Sequence, residues 1–301
     1  MLKVSKGICT PLSRLLLMRT HVRSRSYGTV IQGSKYTPEY TQYLTLSNGE
    51  VGSYFHDIPY ELDFNSRTVN MVVEIPRWSN GKFEISRNKE FNPITQDVKN
   101  GKVRFVNNIF PFHGYITNYG AIPQTWEDPT VESREEGLKG LKGDNDPLDC
   151  CEIGSKVLAM GDIKKVKVLG SLALIDEDEL DWKIIVIDLE DPMCDKVNSI
   201  HDVEEHFPGL LEATRKWFRD YKIPTGKSAN KFAFGGNFKD AEETMSIIKG
   251  CHSSWKKLFE QQYGNHISLP AIKRAGSGVI HKSSVVEDGK LPSEVAKWYY
   301  V

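Results

Sequence analysis

The sequence has few cysteines and lacks the short motifs of common cofactor sites. Its five cysteines (Cys9, Cys150, Cys151, Cys194 and Cys251) form no C-x-x-C pair, a pattern that suits neither a zinc site nor a disulfide framework. We interpret those of the body as small buried apolar residues in a reducing compartment. There is also no P-loop, no Rossmann glycine fingerprint, no H-x-x-x-H and no G-x-S-x-G. The histidines are therefore interpreted as structural, while a serine nucleophile in another setting stays open.

Acidic side chains are missing from residues 1–38, which carry seven basic ones. The rest of the chain has 32 basic and 40 acidic side chains, a net charge of about −8. An acidic body argues against nucleic-acid binding and is compatible with a site that collects divalent cations.

A long hydrophobic run is missing as well, since the apolar run at 15–18 is too short for a transmembrane helix. Residues 1–27 are rich in Arg and Ser and have apolar residues at helical spacing, which is typical of a mitochondrial transit peptide. We predict cleavage near Tyr27 or Gly28 and a location in the mitochondrial matrix. A secretory signal is the alternative, although its small-residue cleavage pattern is missing.

The body alternates apolar and polar residues in short segments and then turns to helical periodicity. The spacing predicts strands over residues 70–75, 82–86, 102–106, 153–160, 164–175 and 181–189, the last two joined by an acidic turn at 177–180. It predicts helices over 208–219 and 239–262. Short strands followed by helices favour a small barrel with helices packed outside it. The apolar end Trp298-Tyr299-Tyr300-Val301 is expected to dock on a surface.

The stretch GDNDPLD at 143–149 places three carboxylates within six residues. Pro147 favours extended backbone before it, so Asp144 and Asp146 are expected to point the same way. Carboxylates this close repel one another unless a cation lies among them. An acidic surface turn is the ordinary alternative.

The predicted strands carry a further set of charged side chains opposite their apolar faces: Glu74, Lys82, Glu84, Arg104, Asp181 and Lys183. Each alone is compatible with a solvated face. Together with the acidic stretch they offer oxygen ligands for Mg²⁺ and a basic group for an anion. A polyanionic substrate bound with several hard cations uses both sets.

Two other acidic motifs were compared with this stretch. An EF-hand beginning at Asp144 requires glycine at its sixth position and glutamate at its twelfth, where the chain has Asp149 and Ser155. An aspartyl-phosphate phosphatase places D-x-D at the end of an apolar strand, and residues 137–143 are not such a strand. Neither motif fits.

Several segments together resemble the family I soluble inorganic pyrophosphatases. They are GDNDPLD at 143–149, VVEIPRW at 72–78, GKFEIS at 81–86, KVRFV at 102–106, PFHGYITNYGAIPQTWEDP at 111–129 and DWK at 181–183. The segments WFRDYKIPTGK at 217–227 and KWYY at 297–300 resemble the eukaryotic branch. The resemblance covers about residues 60–262, and with the leader it is greatest to the mitochondrial, fungal-type form.

The resemblance implies a mainly β fold with α helices, namely an OB-like five-stranded β-barrel with helices packed outside. It implies a single domain over 28–301, with a core at about 60–262 and an extended C-terminal arm at 263–301, that forms a homodimer. The implied activity is hydrolysis of pyrophosphate to two phosphates by metal-activated water, with several Mg²⁺ ions in the site.

The resemblance also assigns roles to fourteen residues. The metal ligands are Asp144, Asp149 and Asp181 for the first ion, with Asp149 bridging to a second, and Asp176 and Glu84 for further ions. The catalytic residues are Asp146, which takes a proton from the attacking water, and Tyr115, an acid or orienting group. The substrate-binding residues are Lys82, Arg104, Lys183, Tyr221, Lys222 and Tyr119. The outer carboxylate is Glu74.

Two alternatives of other kinds stay open from the sequence. An OB-like binding module without catalysis would show a basic or aromatic face and bind oligonucleotides with a strong salt dependence. A nucleotide or polyphosphate hydrolase would differ only in its substrate, so a comparison of substrates separates it.

Overall fold

The structure, a computed structural model, describes residues 27–260, 269–272, 276, 280 and 287–301. The strands are β1 (Gly28–Gln32), β2 (Thr41–Thr45), β3 (Val51–Gly52), β4 (Thr68–Ile75), β5 (Phe83–Ile85), β6 (Ile94–Gln96), β7 (Val98–Lys99), β8 (Lys102–Val103), β9 (Asn108–Ile109), β10 (Asn118–Ala121), β11 (Lys142–Gly143), β12 (Asp149–Glu152), β13 (Ile163–Asp176), β14 (Glu179–Asp188), β15 (Lys231–Phe232) and β16 (Trp298–Tyr299). The helices are α1 (Ile200–His206), α2 (Leu210–Asp220) and α3 (Ala241–Phe259), with 3₁₀ turns at Ile223–Thr225, Ala233–Gly236 and Ser293–Ala296. No helix in this part of the chain has the length and hydropathy needed to cross a membrane.

Five strands close into a ring. β14 pairs with β12, β12 with β10, β10 with β4 and β4 with β13, and β13 pairs with β14 again. β11 and β15 extend this sheet, while β1, β2, β3, β5 and β6 form a second sheet. The predicted mainly β, OB-like five-stranded barrel with helices outside it is therefore confirmed.

β10 approaches β4 closely at Gly120. A side chain there would overlap the carbonyl oxygen of Val72, so only glycine allows this contact. The pairing shifts register between Tyr119 and Gly120. This close approach fixes the position of Tyr119 on the barrel wall.

The hairpin of β13 and β14 was predicted, but its turn is tighter than expected. Asp176 pairs with Glu179, so only Glu177 and Asp178 form the loop. Both have positive φ, 50° and 72°, as two-residue hairpin turns of the primed kind require. β14 consequently begins at Glu179 rather than at Asp181.

Three other segments differ from the prediction. A strand was predicted at 153–160, but the observed strand, β12, covers 149–152. The chain then leaves the sheet, and the amide and hydroxyl of Ser155 donate to Asp191. The strand predicted at 102–106 is reduced to β8. α1 was not predicted, although Ser199 accepts from the amide of Asp202 at its N-terminus. The two predicted helices are present as α2, which begins two residues later and ends one residue later than predicted, and α3, which is shorter at both ends.

The strand faces are more buried than the expected pattern of one apolar and one polar face. Along β14, Ile184 and Val186 pack in one hydrophobic cluster with α3, whereas Ile185 and Ile187 pack in another with α2. Lys183 is 2% exposed. The alternative of a solvated polar face is therefore wrong for this strand. Cys150, Cys151 and Cys194 are buried and unpaired, as predicted, whereas Cys251 is unpaired but only half-buried.

The C-terminus docks by strand pairing rather than by burial. β16 pairs in parallel with β9, yet Trp298 is 44% exposed and Tyr300 is 81% exposed. The expected docking is therefore present, but the aromatic side chains still face solvent. Nearly all of the predicted leader (1–27) and much of the predicted arm (263–301) lie outside the described residues.

Candidate active site

One cavity of about 250 Å³ is lined by all fourteen residues to which the resemblance assigns a role. The barrel strands contribute Glu74, Tyr119, Asp149, Asp176, Asp181 and Lys183, and the segments around β5 and β8 contribute Lys82, Glu84 and Arg104. The others come from loops and from the end of α2. The structure thus brings the predicted residues together, while their individual roles stay predictions.

Three carboxylates meet at one side of the cavity. One oxygen each from Glu127, Asp144 and Asp181 lies within 4.8 Å of the others. Glu127 Oε1 accepts from the amide of Trp182 at 3.1 Å, and its Oε2 is buried without a hydrogen-bond partner. A buried carboxylate that has one oxygen without a donor and lies beside two further carboxylates fits a divalent cation.

The electrostatics of this cluster point the same way. Burial raises the pKa of Asp144 well above its usual range, and the nearby Asp181 raises it further. Burial likewise raises the pKa of Glu127, with Asp144 adding to the shift. For Asp181, burial raises the pKa to about 7 although Lys183 opposes the shift. When the three carboxyl groups are ionised, a bound cation would offset their mutual repulsion.

The acidic loop folds in a different way from the prediction. Asn145 has φ of 73°, so the backbone between Asp144 and Asp146 is left-handed rather than extended. Trp126 Nε1 donates to Asn145 Oδ1 at 2.9 Å, and the Asp146 amide donates to Asp144 Oδ1 at 2.9 Å. The preference set by Pro147 acts on Asp146 and does not oppose a turn at Asn145, so the expectation of an extended stretch from Asp144 to Asp146 is wrong here.

The loop is also bonded to the segment that carries Glu127. The amide of Glu127 donates to the carbonyl of Asp146 at 2.9 Å, and the amide of Asn145 donates to the carbonyl of Glu127 at 2.9 Å. These two backbone hydrogen bonds join the acidic loop to a segment that is distant in sequence. They bring Glu127 beside Asp144 and Asp181 as the third carboxylate of the cluster.

Lys183 lies between two predicted metal ligands. Parallel pairing of β12 and β14 places it opposite Asp149, and its Nζ is 2.5 Å from oxygens of both Asp149 and Asp181. It also donates to the Tyr119 hydroxyl at 2.9 Å, which donates in turn to Asp149. Burial lowers the pKa of Lys183, but the two carboxylates raise it well above its usual range. The amine is therefore a fixed positive charge.

A second basic group faces the cavity from the β5 side. Lys82 Nζ is 2.6 Å from Glu84 and 3.4 Å from Asp97, and Arg104 pairs with the same Asp97. Burial lowers the pKa of Lys82, but Glu84, Tyr115 and Asp97 together raise it well above its usual range. Asp97 thus holds two cations side by side, which suits the binding of a phosphate group.

The opposite wall comes from the end of α2. Tyr221 stacks on Trp217 with ring centroids 4.8 Å apart, and Lys222 pairs with Asp176 from β13. Burial raises the pKa of Tyr221 and of Tyr115. Both phenols therefore stay protonated near neutral pH and can donate hydrogen bonds.

Asp146 and Glu74 lie on the remaining wall. Glu74 is buried and accepts from the amide of Ile85 at 2.6 Å. Arg87 Nε is 2.8 Å from Asp146 Oδ1. Burial raises the pKa of Asp146 to about 7, although Arg87 opposes the shift.

Four charged residues that line or adjoin the cavity were not assigned a role from the sequence. They are Arg87, Asp97, Glu127 and Glu179. Glu127 lies in the WEDP part of the segment at 111–129, so the resemblance of that segment could have indicated a role for it. For the other three no pattern in the sequence pointed to the cavity.

Comparisons with known proteins agree on one family. A family model described as inorganic pyrophosphatase matches residues 71–256. The mitochondrial inorganic pyrophosphatase of Saccharomyces cerevisiae is 58% identical over 292 residues, which cover 95% of this chain and 92% of that protein.

Solved structures give the same result. The inorganic pyrophosphatase of Schistosoma japonicum has a TM-score of 0.82 and 42% identity, covering 91% of this chain and 100% of that one. A vacuolar soluble pyrophosphatase of Trypanosoma cruzi, solved in complex with PPi, has a TM-score of 0.72 and 37% identity, covering 86% and 100%.

The carboxylate cluster predicts a pH-dependent stabilisation by metal. Without a cation, folded Asp181 holds a proton up to about pH 7 that the unfolded chain releases near pH 4, so stability falls as pH rises through that window. A bound cation favours the ionised form and removes this loss. We expect the melting temperature in MgCl₂, measured against EDTA, to rise more at pH 8 than at pH 5.

Glu127→Gln is the matched variant, because it removes one charge from the cluster with little change in shape. It should be more stable than the wild type in EDTA at pH 8 and should gain less from MgCl₂. An equal metal effect at both pH values would contradict the role given to these carboxylates.

Proposed function

The chain belongs to the inorganic pyrophosphatase family, and from this premise we propose how its cavity works. The protein hydrolyses inorganic pyrophosphate to two phosphates. The observation that carries the proposal is the joint presence, in one cavity, of a carboxylate cluster and of two basic groups. The carboxylate cluster suits hard cations, and the basic groups suit the phosphates of a small polyanion.

The cofactor proposed is Mg²⁺, with several ions in each site. Asp144, Asp149 and Asp181 would hold the first ion, with Glu127 as a further carboxylate beside it, and Asp176 and Glu84 would hold others. When bound, the ions supply positive charge that acidifies water and offsets the charge on the phosphates. The unpartnered Oε2 of Glu127 supports this assignment, because such an oxygen gains a partner when a cation binds.

The substrate's phosphates are bound by basic side chains from two walls. Lys82 and Arg104, held together by Asp97, bind one phosphate, and Lys183 and Lys222 bind at the other end. The protonated phenols of Tyr115 and Tyr221 donate hydrogen bonds and orient the substrate, while Tyr119, whose hydroxyl donates to Asp149, lines the cavity beside Lys183. These contacts fix the phosphorus for in-line attack and offset charge on the leaving phosphate.

Asp146 is proposed as the general base. It accepts a proton from the water that attacks phosphorus, so its carboxylate must be ionised before the step. Glu74 is not assigned to the reaction itself; its bond to the amide of Ile85 supports the wall on which Asp146 and Glu84 act.

Replacing the base tests this assignment. Asp146→Asn in residues 28–301 should lower kcat for Mg-pyrophosphate by about 10³-fold, since general-base catalysis contributes on that order. The melting temperature should change little, because Asp146 is half-buried and Arg87 is its one ion-pair partner among the described residues. Phosphate release measured by a colorimetric assay gives both kcat and KM.

Asp195→Asn, an exposed acid elsewhere, is the control and should keep full activity. A wild type that releases phosphate faster from ATP or tripolyphosphate than from pyrophosphate would contradict the substrate. Unchanged kcat in Asp146→Asn would contradict the base.

We propose that the protein is a homodimer formed through an aromatic face. This face comprises Trp78, Phe110, His113, Trp298 and Tyr300. Phe110 and Tyr300 have ring centroids 5.5 Å apart, and Trp78 is 58% exposed. A group of exposed aromatic rings is typical of a protein interface, and a second copy would bury it by symmetry.

A charge placed in the aromatic face should dissociate the dimer. We expect residues 28–301 to sediment as a dimer and Phe110→Asp to shift them toward the monomer, because a buried charge without a partner is costly. Phe64→Asp is the control, since Phe64 is 51% exposed and contacts Lys249 instead. A wild-type monomer, or a Phe110→Asp dimer as stable as the wild type, would contradict the proposed face.

We further propose that residues 1–27 are a transit peptide, that 28–301 is a single domain, and that the protein works in the mitochondrial matrix. The acid-free leader and the mitochondrial relative support this. In isolated mitochondria the mature chain should resist protease after the outer membrane is ruptured and should be digested only when detergent opens the inner membrane. Digestion before detergent is added would place it outside the matrix.

A further inference from the structure

Arg87 lines the cavity but has no part in the chemistry described so far. Its Nε lies 2.8 Å from Oδ1 of Asp146, and both side chains are about one-third exposed. Asp146 uses its backbone amide and carbonyl to hold the acidic loop in place. Among the described residues, the salt bridge to Arg87 is the contact that orients the carboxylate itself.

The backbone that carries Arg87 is anchored from both sides. The amide of Ser86 donates to the carbonyl of Pro93 at 2.8 Å, and the carbonyl of Arg87 accepts from the amide of Ala271 at 2.6 Å. Ala271 is itself held at its carbonyl by His56 Nε2 at 2.9 Å and by Asn92 Nδ2 at 3.1 Å.

The anchor of Ala271 is rigid because His56 is fully buried. His56 Nδ1 accepts from Trp255 Nε1 at 2.9 Å, so its Nε2 carries the proton that is donated to Ala271. A chain of hydrogen bonds thus runs from α3 through His56 to the C-terminal arm and on to the backbone of Arg87. The guanidinium extends from a fixed point, which is what a positioning group requires.

On the basis of the proposed function, we propose that Arg87 is a positioning residue for the general base Asp146. Its guanidinium holds Oδ1 and thereby leaves Oδ2 to take the proton from the attacking water. Holding a base in one orientation lowers the entropic cost of reaching the transition state. Because the pair is partly exposed, it contributes little to folding, and its effect should appear in the reaction instead.

Direct binding of pyrophosphate by Arg87 is the competing role. The two roles differ in the kinetic parameter that changes. Loss of a group that binds substrate and transition state equally raises KM, whereas loss of a group that orients the base lowers kcat.

The experiment uses residues 28–301 with saturating Mg²⁺. Arg87→Met removes the charge but keeps an unbranched apolar stem, and it should lower kcat about 10-fold with KM within about 2-fold of the wild type. Arg87→Lys keeps a donor and should recover most of the loss. Arg134→Met, at an exposed position, should match the wild type. Melting temperatures of all variants should agree closely.

A double variant tests whether Arg87 acts through Asp146. In the Asp146→Asn background, Arg87→Met should cause no further loss of kcat, since the group to be positioned is gone. A further 10-fold loss, a raised KM with unchanged kcat, or unchanged kinetics in Arg87→Met would each overturn the inference. An inactive wild type would overturn the proposed function as well, so the two failures are distinguishable.

Discussion

The repulsion among buried carboxylates is the constraint on which the rest of the site depends. Glu127 and Asp181, which are buried, and Asp144, which is half-buried, have oxygens within 4.8 Å of one another. Burial raises the pKa of each, and like charges add to the shift for Asp144 and Glu127. The three carboxylates repel one another when they are ionised, and bound cations remove this repulsion. The folded protein therefore holds the cation ligands in place before the cations bind.

The closed barrel makes such crowding sustainable, because Asp149, Asp176 and Asp181 stand on strands whose positions are fixed by pairing, while the loops of Glu127 and Asp144 are joined by backbone hydrogen bonds. Asp149 lies opposite Lys183 in the parallel pair of β12 and β14, so one buried amine offsets two acids. The tight hairpin holds Asp176 and Asp181 near its two ends. Strands buried on both faces cannot shift to relieve the repulsion, and the charges stay where the chemistry needs them.

The basic side chains on the opposite walls are also held in place before a ligand binds, in this case by acidic partners. Lys82 and Arg104 share Asp97, and Lys222 is held by Asp176. Each basic side chain therefore has an acid that fixes it before the substrate arrives, which lowers the cost of ordering long side chains on binding. The site combines preformed cationic and anionic walls around a small cavity, and a compact polyanion bound with metal ions uses both.

Sequence alone determined what depends on spacing along the chain: the acidic motif, the alternation of β4, β5 and β14, the two longer helices and the composition of the leader. It also brought fourteen cavity residues together through the resemblance of whole segments. Only the tertiary structure decided what depends on segments meeting in space. Glu127 completes the cluster because its backbone pairs with the acidic loop, and Arg87 reaches Asp146 because the C-terminal arm and His56 anchor its loop. Asn145 adopts a left-handed backbone in which Trp126 holds its side chain, so the loop departs from the extended stretch that the sequence predicts. Contacts between distant segments leave no periodicity in the sequence, and for that reason the structure was needed to find them.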